Sequence, residues 1–479
     1  MRDFIKLLIN GREHRVGAAD AFTTLSNYLR YDVGATGTKI VCEEGDCGAC
    51  TVLIRRNGGE FRPINSCILA LAQLDGTSVV TVEGLKVDGA LSAVQEAMVQ
   101  CHGAQCGYCT PGFIVAMTAL FENRDRVDEP CVRDGLTGNL CRCTGYEPII
   151  KAALAVDGAL APKVKAIYSQ TIDASDAVFI GADRVRPHSG ATATEIAGTQ
   201  SAPVFFAPTS LDDAVRFKAE NDGCTIVQGG TDVGVWVNKR AFSAPALLNL
   251  SKLAELNTIR DEDGAVSVGA NVTLTDFENA IRERIPELHA ILHVFGSPQI
   301  KNAGTLVGNI ANGSPIGDTL PYLFVSDAWL EIAGVKGMRT VPVNRFYRGY
   351  KQFDLERGDI VTRVVVPVVR DALKLYKVSR RRDLDISAVT AAIRLQLDGR
   401  RIDSARVVYG GVGPVVLQLK RTEEMLTGKE ATLALFEEAG RVASSEITPI
   451  SDVRGSRDYR LLVAQNLLPK FWYDVLAEG

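Results

Sequence analysis

The sequence has no apolar run of about 18 residues, the length that a membrane-spanning helix requires. Its first residues, MRDFIKLLING, mix charged and apolar side chains and therefore lack the continuous apolar core of a secretory signal. The formal net charge is only −4, and there is no basic patch of the kind that binds nucleic acid. No internal repeat at solenoid periods is present. These absences predict a cytoplasmic protein that binds neither a membrane nor a nucleic acid.

Cysteine, by contrast, is abundant and clustered. There are 11 cysteines, and an odd number in a chain without a secretory signal argues against a framework of disulfides. Eight of them fall in two tight groups before residue 144, and clustered thiols in a reducing compartment indicate metal or redox chemistry. The other three are predicted to be small buried side chains without a functional role: Cys101, Cys131 and Cys224.

Changes in periodicity divide the N-terminal half into three predicted segments. Residues 1–90 contain two hairpin signals, FIKLLI-NG-REHRV and TVLIRR-NGG-EFRPI, and a short amphipathic helix, which predict a small α/β domain. Residues 91–158 carry apolar side chains at helical spacing and predict a small helical domain, with Pro111 and Pro148 in the first turns of two helices. Residues 159–202 are rich in Ala, Ser, Thr and Gly and predict a linker.

Two further domains are predicted in the C-terminal half. Residues 203–372 predict a mixed α/β domain, with a helix at SLDDAVRFKAEN and strands at ALLNLSKL and AVSVGANVT. Residues 373–479 predict an α+β domain of three strands, KLYKVS, AVTAAIRLQL and SARVVYGGV, followed by two helices. The fold class predicted for the whole chain is therefore α+β multidomain.

The first cysteine group lies in the segment CEEGDCGACTV. Cys42, Cys47 and Cys50 have the spacing C-x4-C-x2-C, which is typical of plant-type [2Fe-2S] clusters with a fourth cysteine further along the chain. Cys67 is the predicted fourth ligand. The small residues between the cysteines leave room for backbone N–H groups to approach the sulfurs. A structural zinc site is the alternative, although zinc usually prefers paired C-x2–4-C knuckles.

The second group consists of two pairs. GAQCGYCTPG supplies Cys106 and Cys109, and GNLCRCTGY supplies Cys141 and Cys143. This spacing by itself also permits zinc. Each pair precedes a predicted helix, however, and a helix N-terminus offers free N–H groups and partial positive charge, which suit an anionic iron-sulfur cluster.

Three later segments are unusually rich in glycine, polar or charged residues. Residues 227–235, VQGGTDVGV, form a Gly-Gly turn after an apolar strand, which suits a pyrophosphate but lacks the G-x-G-x-x-G pattern of a Rossmann domain. Residues 304–318, GTLVGNIANGSPIGD, are dense in Gly, Asn, Ser and Thr, and residues 377–387, KVSRRRDLDIS, are dense in charge. Each segment taken alone also fits an ordinary loop.

Together, the C-x4-C-x2-C loop, CGYCTPG and NLCRCTGY resemble the iron-sulfur part of the molybdenum hydroxylases, the family of xanthine dehydrogenase and aldehyde oxidase, over residues 1–155. The two glycine-rich loops resemble the FAD domain of the same family, which is of the vanillyl-alcohol-oxidase type. The resemblance implies a ferredoxin-like β-grasp domain, a helical-bundle iron-sulfur domain, an α/β FAD domain and an α+β C-terminal flavoprotein domain.

The resemblance also implies which residues hold the cofactors. Two [2Fe-2S] clusters would be ligated by Cys42, Cys47, Cys50, Cys67, Cys106, Cys109, Cys141 and Cys143. The FAD diphosphate would be held by Gly229, Gly230, Thr231, Asp232, Val233 and Gly234. The second wall of the FAD site would be formed by Thr305, Gly308, Asn309, Asn312, Ser314 and Asp318, with Lys377 contacting the flavin. Val307-Gly308-Asn309 stands where the family usually has Gly-Gly-Asn.

The activity that the resemblance implies is electron transfer in the oxidation of hypoxanthine and xanthine to urate. Electrons would pass from a molybdopterin-bearing partner through the two clusters to FAD and then to NAD+. No segment of the chain is long enough for a molybdopterin domain, so we expect a separate large subunit that carries the catalytic residues, and a heterotetramer with two copies of each chain. The alternatives are another molybdenum hydroxylase acting on an aldehyde or N-heterocycle, a stand-alone iron-sulfur flavoprotein, and a zinc-stabilised interaction protein.

Overall fold

A computed structural model describes residues 1–56, 58–181 and 203–477 of the chain. These residues form two compact units, Met1–Ala254 with Ser297–Gly304, and Glu255–Gly296 with Thr305–Gly479. The segment predicted as the flavin domain is therefore divided between both units.

The first unit begins, in its described residues, with a five-stranded mixed sheet of order β2-β1-β5-β3-β4. Its strands are β1 Phe4–Ile9, β2 Arg12–Gly17, β3 Thr51–Arg55, β4 Arg62–Asn65 and β5 Ser78–Val80. Both predicted hairpins are confirmed as antiparallel pairs. At the first turn Asn10 has φ 49° and Gly11 has φ 80°, and two positive φ angles are what a type I′ turn requires. The predicted short helix is α1, Leu25–Tyr31.

Four helices follow this sheet in the described chain: α2 Ala93–Gln100, α3 Thr110–Leu120, α4 Glu129–Leu136 and α5 Glu147–Ala155. Pro111 and Pro148 lie in the first turns of α3 and α5, as predicted. Helix α4 was not predicted, because eight residues that include Pro130 and Gly135 give a weak helical signal. The helices enclose an apolar core of their own, in which Phe113, Met117 and Phe121 are fully buried.

The predicted linker is partly structured. Residues 159–181 contain a one-turn helix, Val164–Ile167, and strand β6, Val178–Gly181; elements of four residues are too short to show periodicity in the sequence. Residues 182–202 lie outside the described residues. Strand β6 belongs to a sheet of order β6-β7-β9-β8, with β7 Val204–Ala207, β8 Thr225–Ile226 and β9 Ala246–Leu248.

The first unit is completed by two helices and a short segment that returns from later in the chain. The helices are α6 Leu211–Glu220 and α7 Val233–Arg240, and the segment contains a one-turn helix, Pro298–Lys301. Apolar side chains from both sheets, such as Leu7 and Phe205, share one core. Full burial of a side chain of this size contributes roughly 1.5–3 kcal/mol, so this core holds the β6–β9 sheet against the N-terminal sheet.

The second unit contains the remaining elements. Its strands are β10 Ile259–Glu262, β11 Ala265–Gly269, β12 Trp329–Gly334, β13 Gly337–Pro342, β14 Tyr347–Gly349, β15 Gln352–Phe353, β16 Ile360–Pro367, β17 Ala372–Val378, β18 Val389–Asp398, β19 Arg401–Gly410 and β20 Leu417–Gln418. Its longer helices are α8 Leu274–Ile281, α9 Pro286–Phe295, α10 Leu306–Asn312, α11 Leu320–Val325, α12 Lys420–Leu426, α13 Leu433–Glu446 and α14 Arg457–Phe471. A one-turn helix, Val343–Phe346, and a π-helix, Trp472–Leu476, are also present.

Two sheets organise the second unit, with orders β10-β11-β16-β12-β13 and β17-β18-β19-β20. The three strands predicted after residue 372 are confirmed as β17, β18 and β19. Three helices, rather than the predicted two, follow these strands, because the seven-residue α12 has too little length to show a clear period. No helix of the described residues has both the length and the apolar character needed to cross a membrane.

Candidate functional site

The four cysteines of the first group converge. Cys42, Cys47 and Cys50 lie in the loop between α1 and β3, and the β3–β4 hairpin returns the chain so that Cys67 lies beside them. Hydrogen bonds from the side chains of Cys47 and Cys67 hold the pKa of the Cys42 thiol far below its usual value. Cys67 also lies against Cys50 and, as the proton donor to both neighbours, has a raised pKa. The four sulfurs therefore form one contact group.

The backbone of this loop is shaped around the sulfurs. The amide N–H groups of Glu44 and Cys47 donate to Cys42 Sγ at 3.4 and 3.5 Å. Gly45 and Gly48 have φ angles of 74° and 70°, which glycine adopts without strain. Backbone donors directed at a thiolate stabilise its negative charge, so the loop suits an anionic metal-sulfur centre.

The second group converges in the same way. Cys143 Sγ lies 3.6 Å from Cys106 Sγ. Burial and a hydrogen bond to Cys141 raise the pKa of Cys109 to about 12. Burial acts to raise the pKa of Cys141, but hydrogen bonds from Thr144 and from neighbouring groups lower it overall. Cys109 caps α3 and the 141–143 loop leads into α5, so both pairs lie at helix N-termini, as predicted.

In the second group the thiols are arranged in two pairs, Cys106 with Cys143 and Cys109 with Cys141. Among the described residues, no group of three or more His, Cys, Asp or Glu side chains is placed to hold a single metal ion. Two thiolates on one tetrahedral metal with bonds of about 2.3 Å lie about 3.8 Å apart, close to the 3.6 Å between Cys106 and Cys143. Two such pairs suit two irons bridged by sulfides. The paired thiols of the second group therefore suit a [2Fe-2S] cluster.

The two cysteine loops are bonded directly to each other. Leu140 N donates to Cys47 O at 3.0 Å, and Asn139 Nδ2 donates to Gly48 O at 3.1 Å. A Cβ atom on Gly48 would lie 2.3 Å from Gly138 O, so only glycine permits this approach. A hydrogen-bonded backbone contact therefore joins the two predicted cluster sites.

The two sites differ in exposure. Cys50 and Cys67 are each 2% exposed, whereas Cys106 and Cys143 are exposed. Large apolar side chains in the two loops of the second cysteine group are also exposed: Tyr108 by 49%, Leu140 by 44% and Tyr146 by 37%. The remaining cysteines, Cys101, Cys131 and Cys224, are partly rather than fully buried.

In the first unit, the predicted diphosphate residues form a loop and the start of α7. A Cβ atom on Gly229 would lie 2.2 Å from Ala303 O, and one on Gly234 would lie 2.1 Å from Ile68 O. Gly230 has φ 72°. The segment can therefore approach other backbone closely while presenting the N–H groups of a helix N-terminus, which is the arrangement that binds phosphate.

In the second unit, the predicted wall residues surround α10. Thr305 caps α10 by accepting from Gly308 N at 2.9 Å, and Asn309 Oδ1 accepts from Thr319 Oγ1 at 2.7 Å. Val307 is buried, so its side chain lies within the unit. Asn312 Oδ1 accepts from Lys351 at 2.6 Å. The two predicted FAD loops belong to different units, and their joint role stays a prediction.

Asp318 and Lys377 bind each other. Lys377 Nζ donates to Asp318 Oδ2 at 2.6 Å, to Asp385 O at 2.7 Å and to Ser387 Oγ at 2.8 Å. Burial raises the pKa of Asp318, and the hydrogen bonds from Lys377 and Ser387 oppose that rise. All three N–H groups of the lysine donate hydrogen bonds within the protein. Lys377 therefore stabilises the charged segment 377–387.

Several contact residues were missed by the sequence analysis. Asn238 donates to the carbonyls of Glu43 and Cys67, and Gln299 Nε2 donates to Asn139 Oδ1 at 2.8 Å. A single amide in a long chain carries no motif, and these contacts join residues at least 160 positions apart. No local pattern would have identified them.

Known family profiles match three successive parts of the chain. The profile described as "[2Fe-2S] binding domain" matches residues 81–154. "FAD binding domain in molybdopterin dehydrogenase" matches 198–369, and "CO dehydrogenase flavoprotein C-terminal domain" matches 374–475. These matches support [2Fe-2S] and FAD as the cofactors.

Curated relatives cover most of this chain. Xanthine dehydrogenase 2 of Arabidopsis thaliana is 30% identical over 92% of this chain and 37% of its own length. Xanthine dehydrogenase/oxidase of Gallus gallus is 27% identical over 99% of this chain and 40% of its own length. The chain thus spans about two fifths of the length of these relatives.

Solved structures match a smaller part of this chain. Quinoline 2-oxidoreductase from Pseudomonas putida 86 has a TM-score of 0.53 and 28% identity, over 56% of this chain and 95% of that chain. Carbon monoxide dehydrogenase from Hydrogenophaga pseudoflava has a TM-score of 0.54 and 25% identity, over 57% of this chain and 97% of that chain.

Proposed function

The chain is homologous to the iron-sulfur and flavin-binding parts of the molybdenum hydroxylase family, and from that premise we propose that it is the electron-transfer subunit of a xanthine dehydrogenase. In this proposal it takes electrons from a separate molybdenum-cofactor subunit during the oxidation of hypoxanthine and xanthine to urate and delivers them to NAD+. The observation that carries the proposal is the convergence of eight cysteines into two groups of four, in one chain that also matches the flavin domains.

The residues of the chain supply the cofactor sites. When bound, [2Fe-2S] clusters supply one-electron redox chemistry, and FAD supplies hydride transfer to a nicotinamide. Cys42, Cys47, Cys50 and Cys67 would hold one cluster, and the four cysteines of the second group the other. Backbone N–H groups at Cys42 stabilise thiolate charge, and the absent side chains of Gly229 and Gly234 let the proposed diphosphate loop pack against the backbone of Ala303 and Ile68.

The choice of xanthine as substrate is supported by the order of domains in one chain. The xanthine dehydrogenases match 92–99% of this chain. In contrast, nearly the whole of each matched chain of the solved structures covers only 56–57% of it. The fused arrangement of iron-sulfur and flavin parts is therefore shared with the xanthine dehydrogenases.

A partner is further supported by the surface around the second cysteine group. Tyr108 and Leu140 expose 49% and 44% of their surface beside the exposed Cys106 and Cys143. Exposed apolar groups concentrated at one place commonly mark an interaction site. A stand-alone electron carrier would not need such a surface, so the molybdenum subunit is proposed to bind here.

Another molybdenum hydroxylase activity is the second candidate, favoured by the similarity to quinoline 2-oxidoreductase. The test is to purify the chain with its native partner and to follow NADH formation without oxygen on adding xanthine. We expect NADH to form only with xanthine or hypoxanthine. NADH formation with quinoline or an aldehyde, and none with xanthine, would replace the xanthine assignment by the second candidate.

A further inference from the structure

Helix α7 joins two of the proposed cofactor sites. It begins at Val233, within the predicted diphosphate loop, and its last turn carries Asn238. At a rise of 1.5 Å per residue, these two residues are about 7.5 Å apart along the helix axis. The helix packs on the segment that carries Cys67, and Gly234 approaches Ile68 O so closely that a Cβ atom there would lie 2.1 Å away.

Asn238 contacts both the first cysteine loop and the later segment that carries Cys67. Its Nδ2 atom donates to Glu43 O at 2.9 Å and to Cys67 O at 2.8 Å. Glu43 directly follows the ligand Cys42, and Cys67 is the predicted fourth ligand. One side-chain amide thus spans two segments that are distant in sequence and that must remain together for four thiols to share a cluster.

The backbone at Glu43 needs such support. Glu43 has φ 56°, a left-handed conformation that costs a residue with a Cβ roughly 1–2 kcal/mol. A strained residue of this kind persists only where its surroundings hold it. The hydrogen bond from Asn238 to Glu43 O is one such restraint, and the ion pair between Lys239 and Glu44, 3.6 Å apart, lies next to it.

We propose that Asn238 is a positioning residue for the first cluster: its two hydrogen bonds fix the cysteine loop and tie it to the helix that starts at the flavin loop. Both of the amide's hydrogen bonds go to segments that carry ligands of the first cluster, so we expect the effect at that cluster. This inference rests on the proposed electron-transfer role and adds a residue to it.

The test compares Asn238→Asp and Asn238→Ala with the unaltered protein. Aspartate has nearly the same shape, but its carboxylate cannot donate and faces two carbonyl oxygens, whereas alanine removes the group. Loss of an outer partner of a metal ligand typically costs about 10–100-fold in metal affinity. We therefore expect a chelator to remove the first cluster at least about tenfold faster in Asn238→Asp. The midpoint potential of the first cluster should shift, while the signal of the second cluster and the FAD content stay unchanged.

Asn221→Asp is the matched control. Asn221 Nδ2 donates to Phe217 O, at 2.8 Å, at the end of α6, so both clusters should keep their stability and potentials. Wild-type chelation kinetics and potential in Asn238→Asp would overturn the inference. Loss of both clusters and FAD together in both Asn238 variants would also overturn it, because Asn238 would then act on the folding of the whole unit. A wild-type protein without iron would instead refute the proposed function.

Discussion

The two cysteine groups have the same number of thiols but differ in their most buried and most exposed members. In the first, Cys50 and Cys67 are 2% exposed and the loop is bonded to α7. In the second, Cys106 and Cys143 are exposed and lie between exposed apolar side chains. Burial near the flavin loop suits internal electron transfer, whereas exposure suits exchange with a partner. The difference fits the proposed function, in which electrons enter at the second group and leave through the first.

The largest expected effect separates the two groups. Cys47→Ser should abolish the reduced signal of one cluster and leave the other, because the four thiols of each group contact one another within the group. Cys143→Ser should give the reciprocal result. Low-temperature electron paramagnetic resonance of the reduced variants measures both. If either variant retained two intact signals, that cysteine would not be a ligand.

A smaller effect is expected from the glycines of the two loops. Gly48→Ala and Gly145→Ala both place a Cβ on a residue with positive φ, 70° and 67°, at a cost of roughly 1–2 kcal/mol. Gly48→Ala also brings the Cβ within 2.3 Å of Gly138 O, whereas nothing lies within 4 Å at Gly145. Gly48→Ala should therefore lower the melting temperature and the iron content more than Gly145→Ala does. Equal losses of melting temperature and iron in both variants would show that Gly48 does not lie close to Gly138.

The exposed cysteines should react several-fold faster than the buried ones. In the protein freed of metal, iodoacetamide should modify Cys106 and Cys143 before Cys50 and Cys67, since buried thiols react only through local opening. Mass spectrometry of peptides over a time course gives the order. Simultaneous modification of all four would mean that the first loop is held by its metal rather than by its burial and by Asn238.

The smallest effect is expected at the apolar surface. Tyr108→Ser should weaken binding of the molybdenum subunit, because aromatic side chains at the centre of an interface typically contribute more than about 1 kcal/mol. Tyr473→Ser is the control, since Tyr473 is 58% exposed in the C-terminal segment, which lies in the other unit. Binding of the isolated partner, measured by calorimetry, should change only for Tyr108. Equal affinities for both variants would place the interface elsewhere.

Local sequence was sufficient for features that depend on short spacings. Asn10-Gly11 predicts its turn because few residues accept two positive φ angles, and the cysteine spacing predicts the loops because ligands must reach one cluster. Features that depend on distant contacts were not predictable. The hydrogen bonds from Asn238 span 195 and 171 positions, and the four-residue β6 is defined by its contacts with Arg2 and β7.

The central claim is that this chain holds two different [2Fe-2S] clusters together with FAD. The most direct measurement is metal and flavin analysis of the protein purified without oxygen, combined with paramagnetic resonance during stepwise reduction. The account predicts about four irons and one FAD per chain and two distinct cluster signals. A colourless protein that contains zinc and no iron would contradict it.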